Sequence, residues 1–94
     1  MSTITLAVIA RIPIDGVPDF QEYQRKILPL VIEHQGRLER RLRNADGTQE
    51  VHILSFASQE NYESYRTDPR REAAVPGLKR SRATIEVLRV TDFK

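Results

Sequence analysis

The chain has no cysteine, no tryptophan, one methionine and only four glycines in 94 residues. Without cysteine it has neither a disulfide nor a thiolate nucleophile, and it fits a reducing cytosol. Its longest apolar run, Leu6-Ala7-Val8-Ile9-Ala10, is far too short to cross a bilayer, so no membrane role is expected. The opening Met1-Ser2-Thr3 has neither the basic start nor the cleavage site of a secretory signal, and a cytoplasmic location is expected. Charge of one sign is also lacking: 15 basic residues against 13 acidic ones leave +2. That balance, with no aromatics interleaved among the basic clusters, argues against nucleic acid as a partner. No Gly-rich phosphate loop, no Gly-x-Ser-x-Gly elbow and no paired active-site carboxylates occur, and there is no internal repeat.

What is present is an alternation of short elements that reads as one domain over residues 1–94. Thr3 to Ile12 is β-branched and apolar on both faces, which suits a central strand. Pro18-Asp19 opens a helix whose stripe is Phe20, Tyr23, Ile27, Leu30, Val31 and His34. Pro29 lies inside that stripe and predicts a kink, and Gly36 is the expected left-handed cap. Arg37 to Arg43 is a polar strand suited to an edge, with Leu38, Arg40 and Leu42 on one face and Arg41 and Arg43 on the other. Asp46-Gly47 closes a hairpin to a third strand, Glu50 to Ala57. Ser58 caps a short helix carrying Tyr62 and Tyr65; Asp68-Pro69 restarts helix, Pro76-Gly77 breaks or kinks it, and Ala83 to Val90 is the last strand. The order predicts an α+β, ferredoxin-like split βαββαβ domain: a four-stranded antiparallel sheet with the helices on one face. Ala7 and Ile9 would then lie on a sheet face that no helix of this chain covers, so a second copy, a homodimer, is the expected partner.

The stretch Ile27-Leu-Pro-Leu-Val-Ile-Glu-His-Gln-Gly-Arg37 resembles one small family of unknown function in the dimeric α/β-barrel superfamily. So does Leu54-Ser-Phe-Ala-Ser-Gln-Glu60 with the later Thr67-Asp-Pro69. That family is similar to the antibiotic-biosynthesis monooxygenase-like and muconolactone isomerase-like proteins. The resemblance runs from Ile4 to Val90 and implies a dimeric α/β-barrel of two sheets packed face to face. It also implies a ligand cleft between sheet and helices. Cofactor-free monooxygenases of the superfamily surround an aromatic substrate with Trp, Asn, Tyr or His, and this chain departs from that set in having no tryptophan. Haem-degrading relatives carry a ligating His in the second helical region, where this chain has none between Gln59 and Arg82.

Two histidines are the main candidates for chemistry. His34 closes the apolar stripe of the first helix and is the candidate catalytic acid–base, the alternative being a helix-terminal His that serves the dipole. His52 lies on a strand with Leu54 and Phe56 on the same face, a face the pattern does not assign to cleft or to partner. Tyr23, Tyr62 and Tyr65 each offer a phenol to a small ligand or pack with only the hydroxyl wet. With His52 they form the candidate substrate-binding set. Two His without supporting acids at ligand spacing do not make a metal site, and no cofactor is expected. The reading is a small-molecule cleft, either that of a cofactor-independent enzyme on an aromatic or carbonyl compound or that of a non-catalytic binding module. A purely structural dimer is the third reading.

Overall fold

The computed structural model describes residues 3–93. The elements are β1 (Ile4–Arg11), a 3-10 turn (Ile14–Gly16), α1 (Val17–Glu33), β2 (Gly36–Arg43), β3 (Gln49–Phe56), α2 (Gln59–Arg66), α3 (Pro69–Ser81) and β4 (Thr84–Val90). All neighbouring strands are antiparallel and the sheet order is β2-β3-β1-β4. This is the βαββαβ ferredoxin-like topology with the helices on one face, its second helical segment divided into α2 and α3. The expectation of a dimeric α/β-barrel is corrected here: the sheet is open, with β2 and β4 as free edges, and it does not close on itself. Among the described residues no helix is long and apolar enough to cross a membrane.

The core lies between the inner sheet face and α1. Ile4, Leu6 and Ala10 of β1 and Leu54 and Phe56 of β3 meet Phe20, Ile27, Leu30 and Val31 of α1, all buried. Each large side chain sealed here contributes about 1.5–3 kcal/mol of transfer free energy. The outer face is different. Ala7 and Ile9 of β1 and Val51 and Ile53 of β3 are half-buried by their neighbours alone, and Leu42 and Leu88 stand exposed on the flanking strands.

α1 runs on through Pro29, and α3 through Pro76-Gly77, as continuous helical spans. Two local expectations meet a different outcome. The left-handed residue after α1 is Gln35, at φ 63°, and Gly36 already belongs to β2. Gly36 is required for closeness instead: a Cβ there would sit 2.7 Å from Phe56 Cε1, Val31 Cγ1 and the Val31 carbonyl oxygen. The second difference is in β2. A bulge between Leu38 and Arg40 inserts one residue, so the alternation reverses beyond it. Leu38 pairs with Leu54, but Arg41 then pairs with His52 and Arg43 with Glu50. The two arginines therefore join the helix-facing side, and Arg40 and Leu42 the outer one.

Candidate functional site

β3 alternates cleanly, so Glu50, His52, Leu54 and Phe56 all point towards the helices and all are buried. Three of these four suit an interior, and Glu50 does not unless it is fully partnered. It is. Arg41 Nε donates to Oε1 at 3.0 Å, Gln21 Nε2 donates to Oε2 at 2.6 Å, and Arg43 Nε lies 3.5 Å from Oε2. Arg41 Nη2 also donates to Gln21 Oε1 at 2.7 Å, closing a ring of three side chains. His52 Nε2 lies 2.8 Å from Glu50 Oε1. Burial pushes the Glu50 carboxyl upward, but the hydrogen bonds from Arg41, His52 and Gln21 and the Arg41 charge outweigh it and bring it down to about 2. An ionised carboxylate only accepts, so His52 must carry its proton on Nε2. Among the described residues no hydrogen bond reaches the other nitrogen, Nδ1.

His52 forms part of the wall of a cavity of about 210 Å³ between sheet and helices. Its floor is Leu6, Val8, Leu54, Ile85 and Val87; its roof is Tyr23, Gln24, Ile27 and Leu28 of α1. Tyr62, Tyr65 and Arg66 of α2 and Arg71 of α3 close one side. Val87 pairs across β1 with Val8, and Val8 with His52, so one row of the sheet carries all three. Val87 is half exposed, which places the opening along β4. Phe56 packs 5.1 Å from Tyr65 and 5.4 Å from Tyr62, ring centre to ring centre, and holds both phenols in place. Burial raises the Tyr65 phenol above its ordinary value even though the Arg71 charge opposes this. It stays a neutral donor near neutral pH.

Of the residues singled out in the sequence, Tyr23, His52, Tyr62 and Tyr65 line this cavity together. His34 does not. It is the C-cap residue of α1, and its Nε2 lies 2.8 Å from Asp68 Oδ2. Asp68 caps α3 by accepting from the Arg70 backbone at 2.8 Å, and it takes the Arg70 side chain on both oxygens. Arg70 also bridges to Glu33 at 3.1 Å. Arg70 and then His34 hold the Asp68 carboxyl well below the usual carboxylate range. The cluster bolts the end of α1 to the start of α3. The sequence reading missed Glu50, Gln24 and Arg66; Arg71 was legible only as one of a basic cluster with Arg70, Lys79, Arg80 and Arg82 that reads as an attractor of a carboxylate or phosphate or as a solvated face. A Glu-x-His pair on an otherwise apolar inward register was the available signal for Glu50; Gln24 and Arg66 had none. Among the described residues no three His, Asp or Glu side chains converge as a metal site would need.

No protein-family model matches the chain, and no curated protein matches it by sequence. Solved structures do match in shape. A cofactor-independent oxygenase of Streptomyces nogalater, SnoaB, superposes with a TM-score of 0.79 at 15% identity, covering 100% of this chain and 96% of that one. A putative antibiotic biosynthesis monooxygenase of Caulobacter crescentus gives 0.74 at 11% identity, with 96% and 91% covered. A NipSnap family protein of Agrobacterium tumefaciens gives 0.66 at 21% identity, with 98% and 96% covered. These likenesses define the class by fold: a ferredoxin-like domain of the shape shared by NipSnap proteins and small monooxygenases.

Proposed function

We propose that this chain binds one ring-sized aromatic or carbonyl compound in the cavity between sheet and helices, acting on it as a cofactor-independent acid–base enzyme, and that it works as a homodimer. The observation that carries the reading is the His52–Glu50 pair in the cavity wall. A buried, ionised carboxylate fixes the imidazole tautomer and would stabilise the imidazolium that forms when a proton is taken. The free Nδ1 is then the base offered to a ligand. Size supports a single ring: a dry apolar cavity of roughly 150 Å³ already holds benzene. The phenols of Tyr23, Tyr62 and Tyr65 supply donors for a ring oxygen. The fold is also that of a cofactor-independent oxygenase, which is in keeping with chemistry that starts by removing a proton from an activated carbon.

Cyclohexanone in deuterium oxide tests this, because its α-protons exchange only when a base removes them. The native chain should show a ligand-dependent rise in Tm. It should also accelerate exchange by about 10²–10⁴-fold over His52→Gln, the range of general-base catalysis. A Tm rise without exchange would leave a non-catalytic binding module. No rise with any ring-sized probe, and no difference between the native chain and a cavity-filling Val8→Phe variant, would end the reading.

A further inference from the structure

Arg71 is the one basic side chain among the described residues that is both withdrawn from water and without a carboxylate. Arg41 and Arg43 share Glu50, Arg66 pairs with Glu63, Arg70 with Asp68 and Glu33, Arg25 with Glu22, and Arg82 with Asp15. The remaining cations, among them Arg11, Arg37, Arg40, Arg80 and Arg89, are exposed and solvated. Arg71 is half-buried. Its Nε is enclosed and has no hydrogen-bond partner, the one side-chain nitrogen or oxygen among the described residues in that state. Leaving a charged donor unmatched in this way is costly, and folded chains seldom do it without a use.

We propose that Arg71 is the anion anchor of the cavity, and that the compound held there is a ring-sized carboxylic acid in its ionised form. This rests on the reading that the cavity takes a ligand. The guanidinium lies 4.5 Å over the Tyr65 ring, and Nη1 donates to the Arg66 carbonyl oxygen at 3.3 Å. Stacking and that one bond hold the plane in place. They leave Nε and Nη2, the two adjacent donors whose spacing matches the two oxygens of a carboxylate. Arg71 lines the cavity, so rotation about the side chain's own bonds would present this fork to a carboxylate held there and give Nε the partner it lacks. Arg66, also in the wall, adds positive charge on the same side, although Glu63 shares it. Glu72 lines an adjoining groove with Arg71, and among the described residues neither it nor any other acid forms an ion pair with Arg71. The apolar floor and Tyr65 take the ring; His52, the remaining basic group of the wall, meets the ring rather than its acid group.

Benzoate and benzyl alcohol differ in the anion and little else, and calorimetric titration of both tests the assignment. The native chain should bind benzoate about tenfold or more tightly over the alcohol, the worth of one good charge-assisted contact. Arg71→Gln should weaken benzoate by about tenfold and leave the alcohol within about threefold, and Arg71→Lys, which keeps the charge but loses the fork, should fall between. Raising salt should weaken benzoate and not the alcohol, a readout that needs no variant to fold. Equal affinities in the native chain, or equal losses for both probes in Arg71→Gln, would overturn the anion anchor while leaving the cavity as a binding site. If neither probe binds, the proposal and the ligand reading fall together.

Discussion

Glu50 shows how one residue can be an energetic liability and a functional asset at once. A carboxylate with a fully buried side chain is stable only because Arg41, Gln21 and His52 supply donors to it. Its folded value near 2, against an ordinary 4.5, has a definite sign in the pH dependence of stability. The contribution of ionised Glu50 is complete above about pH 4.5 and is lost as pH falls towards about 2; the shift corresponds to roughly 3 kcal/mol. Glu50→Gln should therefore cost on the order of 2–3 kcal/mol at pH 7 by urea unfolding. It should also flatten the decline in stability between about pH 5 and 2.5. Some slope will remain, because Asp68 is also held low by Arg70 and His34 and weakens in the same direction. A decline as steep as in the native chain would deny Glu50 any part in acid unfolding.

At the scale of elements the decisive feature is the bulge in β2. With regular alternation, Arg41 and Arg43 would face outwards and Glu50 would keep only Gln21 and His52. One extra residue between Leu38 and Arg40 turns both arginines inwards. Arg41→Ala should cost on the order of 2–3 kcal/mol, because the buried Glu50 carboxylate loses its main charged partner. Deleting Glu39 only takes out the extra residue, leaves Arg41 opposite His52 and Arg43 opposite Glu50, and should cost about 1 kcal/mol or less. Glu39→Ala keeps the residue count and removes only the exposed hydrogen bond from Ser55, so about 0.5–1 kcal/mol is expected. Chemical denaturation of the three variants checks this; a loss on deleting Glu39 as large as that of Arg41→Ala would mean that the arginines do not keep their inward register once the extra residue is gone. The same lesson applies at the end of α1. Gln35 accepts the left-handed backbone so that Gly36 can sit against Val31 and Phe56, where no Cβ fits.

For the whole molecule the open question is the uncovered sheet face. Ala7, Ile9, Val51 and Ile53 form an apolar centre, with Arg40 exposed on one edge strand and Glu86 on the other. A two-fold axis parallel to the strands would set β2 of one copy over β4 of the next and bring Arg40 near Glu86. Such an arrangement is the proposed homodimer. Ile9→Asp should then give a monomer in sedimentation at micromolar concentration, since an unpaired charge at a packed interface is costly. Glu86→Lys should weaken association, and adding Arg40→Glu should restore it. A native chain that sediments only as a monomer would refute the dimer, and a charge swap without rescue would refute this axis.

The sequence alone determined the order and type of the elements, because period-2 and period-3.6 patterns, the Ser58 and Asp68 caps and the Asp46-Gly47 turn are local signals that need no tertiary partner. It also determined that β1 is central and β2 an edge, from apolar character on two faces and charge on one strand. It did not determine the face of His52: both registers of β3 are apolar, and only packing against α1 decided between them. Nor did it separate the two histidines. Helical spacing put His34 on the stripe, but the approach of α3 gave it Asp68 as a partner outside the cavity wall. The bulge, the Glu50 ring and the unmatched Arg71 are tertiary facts. A single inserted residue and the docking of three helices on one sheet decide which charges meet, and neither leaves a periodic trace in the chain.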